Sequence, residues 1–341
     1  MMDARWWAPD RPVEGPDDVM VAAQLAAALE LSAWPKPGNV HRRADLGPKT
    51  FERFLASSIA IGPACRRAAE RGLLASKGRL GLPEVGLGEL MYQAAKADGV
   101  WQRGGPAHTG FIILCIPLSA SAGLVLGEGV EVSVEALRTG ISRLLEASTI
   151  QDAIGLYRAI RISASTKLGQ LSPSAGIPDV FNSRAEEELE VRELTLKRVL
   201  EACAPWDLVA AELLSALRLS SEVGLPAFRR YLSETGSLNT AIVNTYLALL
   251  AEARDTHVAR AWGLKRTSVM PDAVFAGLEM AEEVSRRARE ALELGGAATP
   301  EGLRMVEAMD EWLRGLGLNP GSCADLTACT LMLALLTGFR P

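Results

Sequence analysis

Asn319-Pro-Gly-Ser-Cys-Ala-Asp325-Leu-Thr, followed by the apolar run 328–336, joins a polar turn directly to a hydrophobic stretch near the C-terminus. Pro-Gly marks the turn, Ser322 is small and hydroxylic, and Asp325 falls in the first turn of the helix that the run predicts. Such a start gathers unpaired backbone N–H groups and a carboxylate at one helix end, which can receive phosphate oxygens or a metal that carries them. The same pattern recurs upstream as short polar islands in Ala/Leu-rich sequence: 35–40 (Pro-Lys-Pro-Gly-Asn-Val), 104–110 (Gly-Gly-Pro-Ala-His-Thr-Gly) and 255–260 (Asp-Thr-His-Val-Ala-Arg).

Between the islands, apolar residues repeat at three- and four-residue spacing, as at Val19, Ala22, Ala26 and Leu29, and β-branched residues are scattered. The expected class is all-α: one compact multi-helix domain of about 12 helices over 17–341, preceded by an N-terminal arm at 1–16. Helices are predicted at 18–33, 51–72, 86–98, 108–126, 132–147, 150–163, 185–202, 206–223, 238–252, 271–293, 300–315 and 323–337.

The 341 residues carry 36 Lys+Arg against 41 Asp+Glu, a net charge of -5 with no long block of either sign. That balance lacks the footprint of a nucleic-acid or anionic-membrane binder and favours a small soluble substrate. Five cysteines without a CxxC pair fit reduced thiols and a cytoplasmic location. The N-terminus has no apolar core or cleavage site of a signal peptide. The apolar stretches 111–126 and 326–336 are shorter than the roughly 20 residues that cross a bilayer and read as buried central helices.

All three histidines, His41, His108 and His257, lie in or beside an island, which predicts that the islands converge. No zinc-ligand spacing accompanies them. Asp45, Asp179, Asp207, Asp255 and Asp325 supply the hard oxygens that Mg²⁺ on a polyphosphate prefers, and Lys36, Arg42, Arg43 and Arg260 supply counter-charge. Asp207 and Asp255 equally suit helix N-caps, and Arg260 could pair with Asp255. P-loop, Rossmann, nucleophile-elbow and kinase motifs are absent, as is an Asp-Asp-x-x-Asp cluster.

In this order the islands resemble the triphosphoribosyl-dephospho-coenzyme A synthase family, over residues 27–338. The Pro-Lys-Pro-Gly opening stands at 35–38, an Asp-Thr-x-Ile-Ala-Arg-Lys segment as 255–261, and the Asn-Pro-Gly-Thr-x-Ala-Asp-Leu close at 319–326, with Asp310 and Leu313-Arg314 before it. Thr-Phe-Glu-x-Phe-Leu-Ala-Ser at 50–57 is closer to the branch of archaea and methylotrophic bacteria. The resemblance implies a helical transferase that takes ATP with Mg²⁺, expels adenine, and joins the triphosphoribosyl group to a hydroxyl of dephospho-coenzyme A or another cofactor precursor, conceivably in tetrahydromethanopterin synthesis. It implies Lys36, Gly38, Gly110, Arg260, Asn319, Gly321 and Ser322 on the nucleotide, Asp325 and Asp255 on Mg²⁺, and Asp45, His108 and Asp255 in the chemistry. Expected partners are small molecules, not nucleic acid or membrane, with a homo-oligomer or a partner subunit left open.

Three segments depart from the family pattern. Pro106-Ala107 replaces two hydrogen-bonding residues, Thr166-Lys167-Leu168-Gly169 replaces Gly-Gly-Leu-Gly, and Ala210-Ala211-Glu212-Leu213 replaces Ala-Arg-x-Tyr. They keep open a second reading, a nucleotide-binding but catalytically weakened partner subunit of a cofactor-biosynthesis complex.

Overall fold

Seventeen α-helices, from Pro16–Ser32 to Gly321–Leu336, and no strand make up the described residues. The computed structural model describes residues 6–7, 12–103, 107–163, 169–171 and 175–341. The all-α class stands as expected, in one compact arrangement, but the dozen predicted segments are more finely divided. Segment 51–72 becomes Phe51–Ala60 and Gly62–Ser76, because Pro63 in the first turn of the second helix has no N–H to continue the first. Segment 185–202 breaks between Ala185–Val191 and Leu196–Cys203, where Glu193 takes φ 51 and Thr195 caps the second helix by accepting from Arg198 N. Segment 206–223 ends at Leu214, and the chain passes through positive φ at Ala216 and Leu217 before a π-turn at Ser220–Gly224. Segment 271–293 divides at Gly277. Leu225–Thr235 and Thr256–Gly263 are helices that the periodicity did not reveal.

Two apolar helices occupy the centre. Thr109–Glu128 has 20 residues and a mean hydropathy of 2.1, enough by length and composition to cross a membrane, yet 78% of its apolar window is buried inside the protein. It packs against Gly62–Ser76, Leu87–Trp101, Val134–Glu146 and Gly321–Leu336. Gly321–Leu336, the helix of the opening motif, also packs on Pro16–Ser32 and Leu238–Glu252. Neither central helix has a polar face, and residues around their circumference are buried, as a helix surrounded by others requires. The N-terminal segment is fastened to the C-terminus: Trp7 Nε1 donates to Thr337 O (3.1 Å), and Arg340 N donates to Trp6 O (2.9 Å).

After Pro16–Ser32 the chain enters a loop through the cis Trp34–Pro35 bond and turns at Gly38, φ 71. Arg314 holds this loop down. Its Nε bonds both Asp310 oxygens (2.8 and 2.9 Å), Nη2 donates to Asn39 O (2.6 Å), and Nη1 donates to Asp45 O (2.8 Å). His41 joins the knot, Nε2 lying 3.5 Å from Asp310 Oδ2. Burial opposes ionisation of Asp310, but bonds from His41, Arg314 and Gly38 N–H hold its carboxyl below the usual range. A Cβ on Gly38 would lie 2.8 Å from Leu318 O and 2.9 Å from Pro320 Cδ, so this island presses on the 319–325 turn. Gly38→Ala adds that clash to a left-handed backbone and is expected to cost about 1–3 kcal/mol in urea denaturation. A variant as stable as wild type would show that the loop can leave the turn.

Candidate active site

The four islands meet at the start of Gly321–Leu336. Asp255 is the joint. It caps Thr256–Gly263, its Oδ1 accepting from His257 N (2.8 Å) and Val258 N (3.0 Å), while Oδ2 accepts from Cys323 N (2.8 Å) in the first turn of the C-terminal helix. Burial pushes its carboxyl above the usual range, opposed by those N–H groups. Both oxygens are thus engaged by backbone, so Asp255, expected on metal or in proton transfer, fixes two helix ends. Thr256 extends the joint: its Oγ1 accepts from Leu208 N (3.0 Å) and lies 3.4 Å from Ser322 Oγ. Leu208–Leu214, capped by Asp207 through Ala210 N (2.9 Å), is thereby held beside the same corner.

Asp325 links the fourth helix start. Its Oδ1 accepts from Phe111 N (3.0 Å), in the first turn of Thr109–Glu128. A Cβ on Gly110 would stand 2.0 Å from Asp325 Oδ2, which explains why a glycine occupies the end of that island. Burial raises the Asp325 carboxyl well above the usual range, and the negative charges of Glu30 and Asp255 add to the effect. Converging helix starts favour negative charge here, and among the described residues Phe111 N–H is the hydrogen-bond donor to the carboxylate.

Cations surround it. Lys36 is fully buried, and its Nζ is held by the Glu30 carboxylate and by Glu30 O (2.9 Å). Burial lowers its pKa against the pull of Glu30 and Asp325. Arg260 and Lys49 are different, since neither has a hydrogen-bonded or ion-paired partner among the described residues. Burial lowers the pKa of both, while Asp207 and Asp255 act on Arg260 and Asp325 acts on Lys49 in the opposite sense. Lys49 itself is exposed on the loop after Gly47-Pro48. Asn319 is 8% exposed, and its Oδ1 is buried without a partner. Ser322 and Gly321 complete the turn, with Gly321 N donating to Asn319 O (2.8 Å).

The remaining expected residues have other surroundings. His108 Nε2 lies 3.1 Å from Ser58 Oγ and 3.2 Å from Phe54 O, and burial pushes its pKa down to about 4. Asp45 Oδ1 accepts from Phe51 N (2.9 Å) on the exposed loop. Asp179 accepts from Leu171 N (2.6 Å) and Phe181 N (2.7 Å). Arg43 stacks over the Trp34 ring (3.7 Å), and Arg42 bonds Asn239 Oδ1 (3.1 Å). Of the departing segments, Pro106 and residues 166–168 lie outside the described residues. Glu212 is buried, accepting from Ser220 N (2.7 Å) and Leu219 N (2.9 Å), so it secures the turn after Leu208–Leu214. Glu30, Lys49 and Asp98, whose Oδ2 accepts from Ala107 N (2.9 Å), escaped the sequence reading.

No group of three or more His, Cys, Asp or Glu among the described residues could hold a metal ion by itself.

Fold and site together define an all-helical protein with a cluster of charged side chains where helix starts converge. More particularly, residues 16–340 match the family described as "CitG: ATP:dephospho-CoA triphosphoribosyl transferase", and the chain belongs to that family. It is 34% identical over 110 residues to the 2-(5''-triphosphoribosyl)-3'-dephosphocoenzyme-A synthase of Klebsiella pneumoniae, a match covering 32% of this chain and 32% of that protein. The alignment thus spans about a third of that relative's length. A protein of Pseudomonas fluorescens named for the same synthase is 23% identical over 302 residues, 88% of this chain and 84% of its own. A crystal structure titled for a triphosphoribosyl-dephospho-coA synthase from Archaeoglobus fulgidus shares the fold, with a TM-score of 0.57 and 24% identity over 84% of this chain and 100% of that one.

Proposed function

We propose that the protein transfers the triphosphoribosyl group of ATP to a hydroxyl of dephospho-coenzyme A or a related acceptor, releasing adenine. The observation that carries this reading is a pair of cations whose side chains have no ion-pair partner among the described residues: Lys49, within range of the charges of Asp325 and Arg260, and Arg260, within range of Asp207 and Asp255, beside the meeting point of four helix starts. A triphosphate would give the Arg260 and Lys49 side chains the hydrogen-bonding anionic partner that no described side chain gives them. Mg²⁺ enters as Mg·ATP, with Asp325 Oδ2 as its protein ligand. The Ser322 hydroxyl and the unpartnered Asn319 Oδ1 offer further polar contacts. Lys36, enclosed with Glu30, contributes charge from beneath, and Gly38, Gly110 and Gly321 allow the loops to close on one another. Asp45, His108 and Asp255 position backbone on this reading.

Displacement at the anomeric carbon gains most from neutralising the triphosphate and orienting the acceptor, because both effects are built in before reaction. Adenine released from Mg·ATP and dephospho-coenzyme A, followed by chromatography, tests the proposal. Adenine appearing only with a metabolite extract would point to another acceptor, such as a pterin precursor. ATP bound without adenine release would favour the partner-subunit reading. Arg260→Met is expected to raise the KM for ATP about 10-fold or more, the weight of a charged hydrogen bond, while helical content stays unchanged. An unchanged KM would remove Arg260 from the phosphate site.

A further inference from the structure

We infer that His257 is a catalytic residue of this reaction: its Nε2 accepts the hydrogen bond of the attacking hydroxyl and takes its proton. The inference rests on the transferase reading above. Its geometric basis is the partner of the other ring nitrogen. Nδ1 lies 2.7 Å from Asn319 O, and a carbonyl can only accept, so Nδ1 carries the hydrogen and Nε2 presents a bare lone pair. The ring is pinned as well as oriented, since a Cβ on Gly321 would stand 3.1 Å from Nδ1.

The other two imidazoles are placed differently. His41 and His108 are buried, with Nε2 of the first beside Arg314 and Asp310 and Nε2 of the second on Ser58 and Phe54. His257 is only half-buried, and its Nε2 has no partner among the described residues. It occupies the first turn of Thr256–Gly263, within range of the charges of Arg260 on its own helix and Lys49 on the loop. A bound triphosphate offsets both cations and makes the same nitrogen a stronger base once substrate is present.

In the step itself, the acceptor oxygen bonds to the anomeric carbon of the ribose. The bond from that carbon to adenine breaks, its electron pair leaves with adenine, and the hydroxyl proton passes to Nε2. The imidazolium then yields that proton to the departing base or to water, so one proton moves overall from hydroxyl to adenine.

The test uses two substitutions in the full chain. Asn at position 257 can still donate to Asn319 O in place of Nδ1 but has nothing at the place of Nε2. For His257→Asn, the expected result is a folded protein that binds Mg·ATP with unchanged affinity and releases adenine about 100-fold more slowly, the lower range for loss of a general base. For His257→Ala, free imidazole is expected to restore part of the lost turnover, an effect that a purely structural role would not produce. Turnover of His257→Asn within threefold of wild type would overturn the inference, as would a loss confined to ATP affinity. A wild type that releases no adenine with any acceptor overturns the transferase reading and this inference with it. An active wild type beside an active His257→Asn overturns this one alone.

Discussion

Asp325→Asn is expected to lower adenine release at least 100-fold while leaving the circular dichroism spectrum unchanged. The amide oxygen can still accept from Phe111 N–H, now 3.0 Å from Oδ1, so the link between the two central helices survives. What disappears is the ionisable group within range of Lys49 and Lys36 and, on the reading above, the oxygen that binds Mg²⁺. Loss of one preorganised electrostatic group in a water-poor site costs about 3 kcal/mol of transition-state stabilisation, which sets the 100-fold scale. The comparison is kcat/KM for Mg·ATP against wild type at fixed acceptor. Activity within fivefold of wild type would show that Asp325 is only a helix joint. A variant that also loses helical content would be judged by Asp325→Glu, which keeps the charge but moves it against Gly110.

Lys36→Met is expected to cost about 3–5 kcal/mol of folding stability, because it leaves the Glu30 carboxylate buried without its cation. Glu30 is 4% exposed and Lys36 0% exposed, so water cannot take the missing partner's place. Replacing both, as Glu30→Leu with Lys36→Met, is expected to recover most of the loss, since two apolar side chains of similar size need no counter-charge. Urea denaturation of the single and double variants measures the difference. A double variant no more stable than the single would mean that Glu30 has another role, such as holding the charge balance of Asp325.

The islands were legible because their chemistry is local. Gly, Pro and Asn mark turns, and a hydroxyl or acid after them marks a helix start, so residues 35–40, 255–260 and 319–325 could be singled out and expected to converge. What each side chain does there was not local. Asp255 reads equally as a ligand or a cap, and only the Cys323 N–H arriving from 68 positions away decides for the joint. Glu30 is hidden inside an Ala/Leu helix where a lone acid normally faces solvent, and its meaning depends on Lys36 folding back beneath it. Lys49 follows Gly-Pro in what reads as an ordinary surface loop, and only the fold, with Arg314 bonded to that loop at Asn39 O and Asp45 O, brings it within range of Asp325. The dozen expected segments are more finely divided for a related reason: the periodicity continues across Gly62-Pro63 and Gly277, whereas the backbone does not.

Because Asp255 clasps two helix starts, the site exists only when residues 36–38, 49, 110, 255–260 and 319–325 are assembled together. Nucleotide affinity is therefore coupled to the integrity of the whole chain. A ligand that binds only the folded state, held at 100 times its dissociation constant, adds about 2.7 kcal/mol to unfolding. In a cell, the supply of that ligand would act as a folding aid, setting how much of the chain persists against proteolysis. A fragment without its last 20 residues would receive no such protection at any nucleotide concentration.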